Sequence, residues 1–109
     1  MIFPLYFDAD PIVKTADDAD FTAATSSVEL DGTSATVDIV LNDAIKVGTC
    51  VNFHCTNAAN AVTVTFDTSA GGASRNKITF AAGVSASCLW VGDAGWRVVQ
   101  IDGAESVVA

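Results

Sequence analysis

The sequence predicts an all-β chain, an antiparallel β-sandwich or small β-barrel of about seven to nine short strands. Three observations carry that expectation. Apolar and polar residues alternate with a period of two through the stretch from Val47 to Gln100, as a half-buried strand requires. Turn residues recur between these stretches, and the abundant Thr, Ser and Val suit a pleated backbone better than a helix. No segment shows convincing helical spacing of apolar residues.

In chain order, Met1-Ile-Phe-Pro-Leu-Tyr-Phe7 is apolar but lacks a basic leading segment, contains a proline and runs into acids. It fails as a signal peptide and reads as a strand or docking arm. Asp8-Ala-Asp-Pro11 and Thr15-Ala-Asp-Asp-Ala-Asp20 follow. Residues 1–20 are accordingly expected to form an apolar arm plus an acidic loop, and residues 21–109 a single antiparallel β domain. Thr15 and Asp18 have capping-box spacing, with Asp in place of Glu, and allow a short helical turn. The acids do not follow the calcium-loop template of spaced carboxylates, central Gly and closing Glu, so a solvated acidic loop is the expectation rather than a Ca²⁺ site.

Ser26 to Leu30 reads as a short strand, Asp31-Gly32 as a hairpin turn, and Ala35 to Leu41 as a strand with Ala35, Val37, Ile39 and Leu41 inward. Cys50 to Thr56 places Val51, Phe53 and Cys55 on one face, and Ala61 to Phe66 does the same with Val62, Val64 and Phe66. Asn57 to Asn60 links these two strands. The stretch 67–76 is a long Gly- and Ser-rich loop with Arg75 near its end, placed to contact a partner or simply to lie at the surface. Lys77 to Phe80 is a strand with Ile78 and Phe80 inward. Ser85 to Val91 and Gly95 to Ile101 flank a Gly92 to Gly95 hairpin, with Trp90 and Trp96 as a cross-strand core pair. Val107 and Val108 form a last edge strand or a mobile tail.

At 109 residues the chain has room for one core. Thirteen acids against five bases leave a net charge of -8, and Lys14, Lys46, Arg75, Lys77 and Arg97 are scattered. Phosphate backbones are bound by clustered cations, so nucleic acid is not an expected partner. No run approaches the roughly 18 to 20 apolar residues needed to span a bilayer as a helix, and no membrane partner is expected. Three cysteines without a secretion signal argue for buried thiols rather than a disulfide framework.

The chain is not expected to be an enzyme or to hold a cofactor or metal. His54 is the only histidine, and although it shares a strand face with Cys50, no third orienting group is recognisable. Zinc-type cysteine pairs are absent, and Gly71-Gly72 lacks the lysine of a phosphate loop.

The order Lys46-Val-Gly48, Asn60-Ala-Val-Thr-Val-Thr-Phe66, a Gly-rich loop, Ile78-Thr-Phe80, Ala82-Gly-Val-Ser85 and Trp90-Val-Gly-Asp-Ala-Gly-Trp-Arg-Val98 resembles a β module of tailed-bacteriophage virion proteins. That module occurs in head decoration proteins and in tail-fibre domains. The resemblance covers about half the chain and consists of strand and turn residues. It implies a capsid decoration, or cement, protein that binds and stabilises the assembled head shell. The major capsid protein would be its partner, a homo-oligomer, commonly a trimer, its state, and the virion surface its place after synthesis in the host cytoplasm. The alternative is a tail or tail-fibre module that binds a host-surface glycan. On the decoration reading the expected contacts are Ile2, Phe3, Leu5, Tyr6 and Phe7 of the arm, adding a strand to a neighbour's sheet edge, together with Arg75.

Overall fold

The computed structural model describes residues 11–69 and 76–102, and the backbone of residues 105–108. The described residues form ten strands and no helix. In order these are β1 (Ile12–Lys14), β2 (Asp18–Phe21), β3 (Ser26–Asp31), β4 (Val37–Leu41), β5 (Cys50–Asn57), β6 (Val62–Phe66), β7 (Lys77–Phe80), β8 (Ser85–Trp90), β9 (Trp96–Asp102) and β10 (Glu105–Val108). They make two five-stranded sheets, ordered β1-β3-β5-β8-β9 and β10-β7-β6-β4-β2.

The pairing corrects the expectation of an antiparallel domain. β1 with β3, β3 with β5, β2 with β4 and β4 with β6 are parallel. Only the pairs involving β7, β8, β9 and β10 are antiparallel. The reason is visible in the topology: taken two by two, β1–β2, β3–β4, β5–β6, β7–β8 and β9–β10 are arches with one strand in each sheet. The first three arches wind in the same sense and bring like-directed strands together. The hairpin β8–β9 and the connection from β6 to β7 then reverse the winding. Parallel neighbours need a crossover connection, which a helix usually supplies. Here the strand in the opposite sheet is the crossover.

The turn expected to make a hairpin at Asp31-Gly32 is therefore an arch, and so is the link between β5 and β6. Asp31-Gly32 carries the chain from β3 to β4 in the other sheet, and residues 58–61 carry it from β5 to β6. The two turns stack: Gly32 N donates to Asn57 O at 2.7 Å, and Asn60 N donates to Gly32 O at 2.9 Å. A Cβ on Gly32 would lie 2.7 Å from Asn60 O and 2.8 Å from Val62 Cγ2. Gly32 is thus required by close approach, since its φ is not positive. Residues 33–36 belong to this turn, so Ala35 is exposed and the strand begins inward-facing at Val37.

Residues 12–21, expected to be loop with a possible helical turn at Thr15, instead supply β1 and β2. Their acids are used locally. Asp17 Oδ1 accepts from the backbone N–H of Asp38 at 2.9 Å and from Thr36 Oγ1 at 3.3 Å. Asp18 pairs with Lys14 at 2.6 Å, and Asp20 accepts from Asn42 Nδ2.

One core lies between the sheets. Val28, Leu30, Val51, Phe53 and Cys55 from one and Val37, Ile39, Leu41, Val62, Val64 and Ile78 from the other are fully buried. The Phe53 and Phe80 rings meet from opposite sheets at 6.3 Å. Burial of each such Val, Leu, Ile or Phe stabilises the fold by roughly 1.5–3 kcal/mol relative to exposure. The Trp hairpin is as expected: Trp90 pairs with Trp96, the indoles pack edge to face at 5.5 Å and 63°, and both are buried. Gly92 and Gly95 close the turn with φ of +91° and +102°.

Candidate interaction surface at one end of the stack

The arches leave connections at two ends. One end carries residues 22–25, 42–49, 67–69 and the 91–95 hairpin; the other carries 15–17, 32–36, 58–61 and 81–84. At the first end the Thr22 to Thr25 link and the β4–β5 link enclose a groove of about 510 Å³, with Ile45, Lys46 and Thr49 on its far side. Thr49 holds the link in shape, donating from its hydroxyl to Lys46 O at 2.7 Å, while Gly48 N and Trp90 O are joined at 2.9 Å. Within this frame Ile45 is 93% and Val47 73% exposed. Two β-branched aliphatic residues held outward on a pinned turn leave apolar surface in water that the fold does not cover.

Sequence reasoning missed this groove. The signal was present, since Asn42-Asp43 and Lys46-Val-Gly48 bracket a short connection that contains the apolar Ile45 and Val47, but nothing in the sequence says which other link packs beside it. The contact residues expected from the sequence, Ile2, Phe3, Leu5, Tyr6, Phe7 and Arg75, lie outside the described residues.

A second constellation crosses the outer face of the first sheet. Glu29, His54, Ser85 and Asp102 stand in register on β3, β5, β8 and β9. His54 Nδ1 and Ser85 Oγ are 2.6 Å apart, and one position along the strands Ser87 Oγ donates to Asn52 Oδ1 at 3.0 Å. His54 is exposed, and the backbone of Ser85 is committed to the ladders on both sides. The arrangement is a hydrogen-bonded polar ladder on an open sheet face. Sequence phase had paired His54 with Cys50; the residue it meets is Ser85, which only the β5–β8 register reveals.

The thiols are inward or half-covered. Cys55 and Cys88 are buried, Cys50 is half-buried, and none is bonded to another. Burial pushes all three above the ordinary thiol value, Cys88 most strongly, with the neighbouring Cys50 adding to the effect there. Among the described residues no three His, Cys, Asp or Glu side chains converge as metal ligands. The chain matches no protein-family model and no curated protein.

Proposed function

We propose that this chain is a bacteriophage virion structural protein, a capsid decoration or cement protein that binds the assembled head shell and stabilises it. The observation that carries the reading is large apolar side chains that the fold leaves uncovered, most of all Ile45 and Val47 on the β4–β5 link, with Val13 on the edge strand β1 as a further exposed residue. Such a surface becomes favourable to bury only when a partner is present. A protein that binds the assembled state and not the dissociated subunits adds RT ln(1 + [L]/Kd) per site to the stability of the shell. Negative charge keeps free copies apart until they attach. The arm residues Ile2 to Phe7 and Arg75 are the further contacts of this proposal, the major capsid protein is the partner, and a trimer is the state in which it attaches.

The same proposal takes the two sheets as a sandwich rather than a barrel. In support, β1 and β9 terminate one sheet and β2 and β10 the other, so neither sheet closes on itself or on its neighbour through the described pairings. The rival, a tail module that binds a glycan, calls for exposed aromatic rings on which sugars stack. Among the described residues Phe21, Phe53, Phe66, Phe80, Trp90 and Trp96 are all buried, which favours the shell reading.

Quantitative mass spectrometry of purified particles tests it. Copies in the hundreds, in fixed ratio to the major shell protein, are the expected result. A handful of copies would move the chain to the tail, and its absence from particles would overturn the virion reading.

A further inference from the structure

The walls of the groove are the two links that lead into β3 and β5. Those strands are hydrogen-bonded neighbours with Ser26 opposite Val51, so the walls stand one inter-strand spacing, ~4.8 Å, apart at the base. That width suits a single unbranched alkyl chain. Ala23 and Thr49 are buried at the base, while Ala24 and Ile45 stand exposed. The volume of about 510 Å³ falls within the roughly 300–1,000 Å³ of small-molecule sites. Val47 takes no part in the lining; its Cγ2 lies 3.5 Å from where a Cβ on Gly92 would stand, on the side of the β8–β9 hairpin.

The polar side chains of the groove present donors. Thr22 Oγ1 accepts from Asn42 Nδ2 at 3.0 Å, and Thr25 Oγ1 accepts from the Cys50 backbone N–H at 3.2 Å, so each hydroxyl keeps its own proton to give. Two carbonyls alongside are already taken. Ala24 O accepts from the Ser26 hydroxyl at 2.8 Å, and Lys46 O accepts from the Thr49 hydroxyl at 2.7 Å and the Thr49 N–H at 3.3 Å. Lys46 is exposed and pairs with no carboxylate among the described residues. Apolar walls with two uncommitted hydroxyl protons and one ammonium select a ligand with a thin apolar body and an acceptor head. A carboxylate oxygen only accepts, and its bonds from an ammonium or a hydroxyl belong to the stronger, charge-assisted kind. The net charge of -8 opposes anions at long range, which favours a single negative charge over a phosphate dianion.

We propose that the groove between residues 22–25 and 45–49 binds a small aliphatic monocarboxylate. The alkyl chain lies along Ala23, Ala24 and Ile45, and the carboxylate accepts from Lys46 Nζ and from a threonine hydroxyl of the facing link. The site goes beyond the shell reading and does not depend on it, since Val47 and Val13 stay outside the groove.

Titration of the full-length chain with sodium octanoate at neutral pH, followed by amide and methyl NMR, tests the site. The expected result is saturable shifts centred on Ala23, Ala24, Ile45 and Thr49, abolished by Ile45→Asp. Octanamide keeps the chain and loses the charge, and should bind about fivefold more weakly. Lys46→Gln should weaken octanoate by a similar factor and change octanamide far less. Both substitutions fall at exposed positions, and unchanged amide exchange in β5 and β6 shows that each variant keeps the fold. Absence of saturable shifts at these residues in the unsubstituted protein would overturn the proposal. So would octanamide binding as tightly as octanoate, which would make the groove a plain apolar patch. Saturation only by a peptide with an apolar C-terminal residue would overturn it too, and would assign the groove to the end of a protein chain. None of these outcomes bears on particle copy number, so this inference and the shell reading fail separately.

Discussion

The indole Nε1 of Trp96 donates to the backbone carbonyl of Asn42 at 2.9 Å. Trp96 opens β9 in one sheet, and Asn42 directly follows β4 in the other, so this bond ties the last hairpin to the middle of the stack. The backbone N–H of Trp96 donates to Thr68 O at 2.8 Å, adding a second tie to the segment after β6. Trp96→Phe leaves the Asn42 carbonyl without its donor and opens a cavity beside Trp90. The expected cost is about 2–4 kcal/mol in urea unfolding. Trp90→Phe should cost less, because Trp90 keeps some exposure. Either substitution should remove the near-ultraviolet circular dichroism of the coupled indoles.

Glycine substitutions separate steric from conformational demands. At Gly95 a Cβ would fall 2.5 Å from Thr68 O, in a residue whose φ is already +102°. At Gly32 the obstruction is equally close but φ is ordinary. At Gly83 φ is +85° and a Cβ would meet open space. Gly83→Ala should therefore cost only about 1 kcal/mol, and Gly32→Ala and Gly95→Ala clearly more. Thermal unfolding of the three variants gives the order, and a Gly83 variant as damaged as the other two would contradict it.

The inward faces were legible because β4 and β6 alternate cleanly: Val37, Ile39 and Leu41, and Val62, Val64 and Phe66, are all buried. Alternation assigns a residue to a face but says nothing of which strand lies beside it or in which direction that strand runs. Parallel strands usually betray themselves as continuous apolar runs covered on both faces. β3, β4, β5 and β6 instead keep a solvated outer face, so they read as antiparallel. Asp31-Gly32 misled for a related reason: the pair marks a turn, and whether the chain re-enters the same sheet depends on Asn57 and Asn60, more than twenty residues on. β1 and β2 were hidden by brevity and by Asp18 and Asp20, whose carboxylates are satisfied by Lys14 and Asn42. The groove was hidden because its walls come from two links that meet only after the arches stack.

Thiol chemistry should report the burial of the stack. Since burial raises all three cysteines in the folded state, the unfolded chain ionises its thiols first as pH rises. The sign follows: their contribution is intact below the unfolded thiol value near 9.0 and is lost as pH climbs above it. Stability should decline above pH 9 more steeply than in a triple Cys→Ala variant referenced to its own neutral value. With a thiol-specific reagent at neutral pH, Cys50 should react before Cys88. Equal native-state rates for the two would contradict the assigned burial.

The Lys14–Asp18 pair makes the opposite prediction at the acid end. Hydrogen bonding from Lys14, and then from the Asp20 backbone N–H, holds the Asp18 carboxyl below its ordinary 3.8. A depressed carboxylate contributes stability that is present above the unfolded value and lost as pH falls through the folded one. The pair is solvent-facing, so the effect on the whole fold is small and the titration itself is the better readout. The side-chain carboxyl carbon of Asp18 should titrate with a midpoint below 3.8, and Lys14→Ala should return it toward that value. Because Lys14 Nζ also lies 4.5 Å from the Phe21 ring centroid, the same variant should loosen the β1–β2 arch, seen as faster amide exchange at Phe21.

Removal of residues 1–7 distinguishes attachment from folding. Among the described residues the buried core is built from β2 to β9 together with their links, and none of those core residues precedes Phe21. The deletion should therefore leave the cooperative transition in place, with a loss of at most ~0.5 kcal/mol, equivalent to a Tm shift of about 2–4 °C for a domain near this size. Attachment to purified shells lacking this protein, if the decoration reading holds, should weaken at least tenfold, because the deletion removes the five large apolar or aromatic side chains Ile2, Phe3, Leu5, Tyr6 and Phe7 from the proposed contact. Co-sedimentation with such shells and calorimetric melting, run on the same preparation, give the two numbers. Parallel loss of both would place the arm in the fold itself and remove it from the contact surface. A preserved attachment would leave Ile45 and Val47 to carry the contact, and Ile45→Asp would then be the variant that abolishes it.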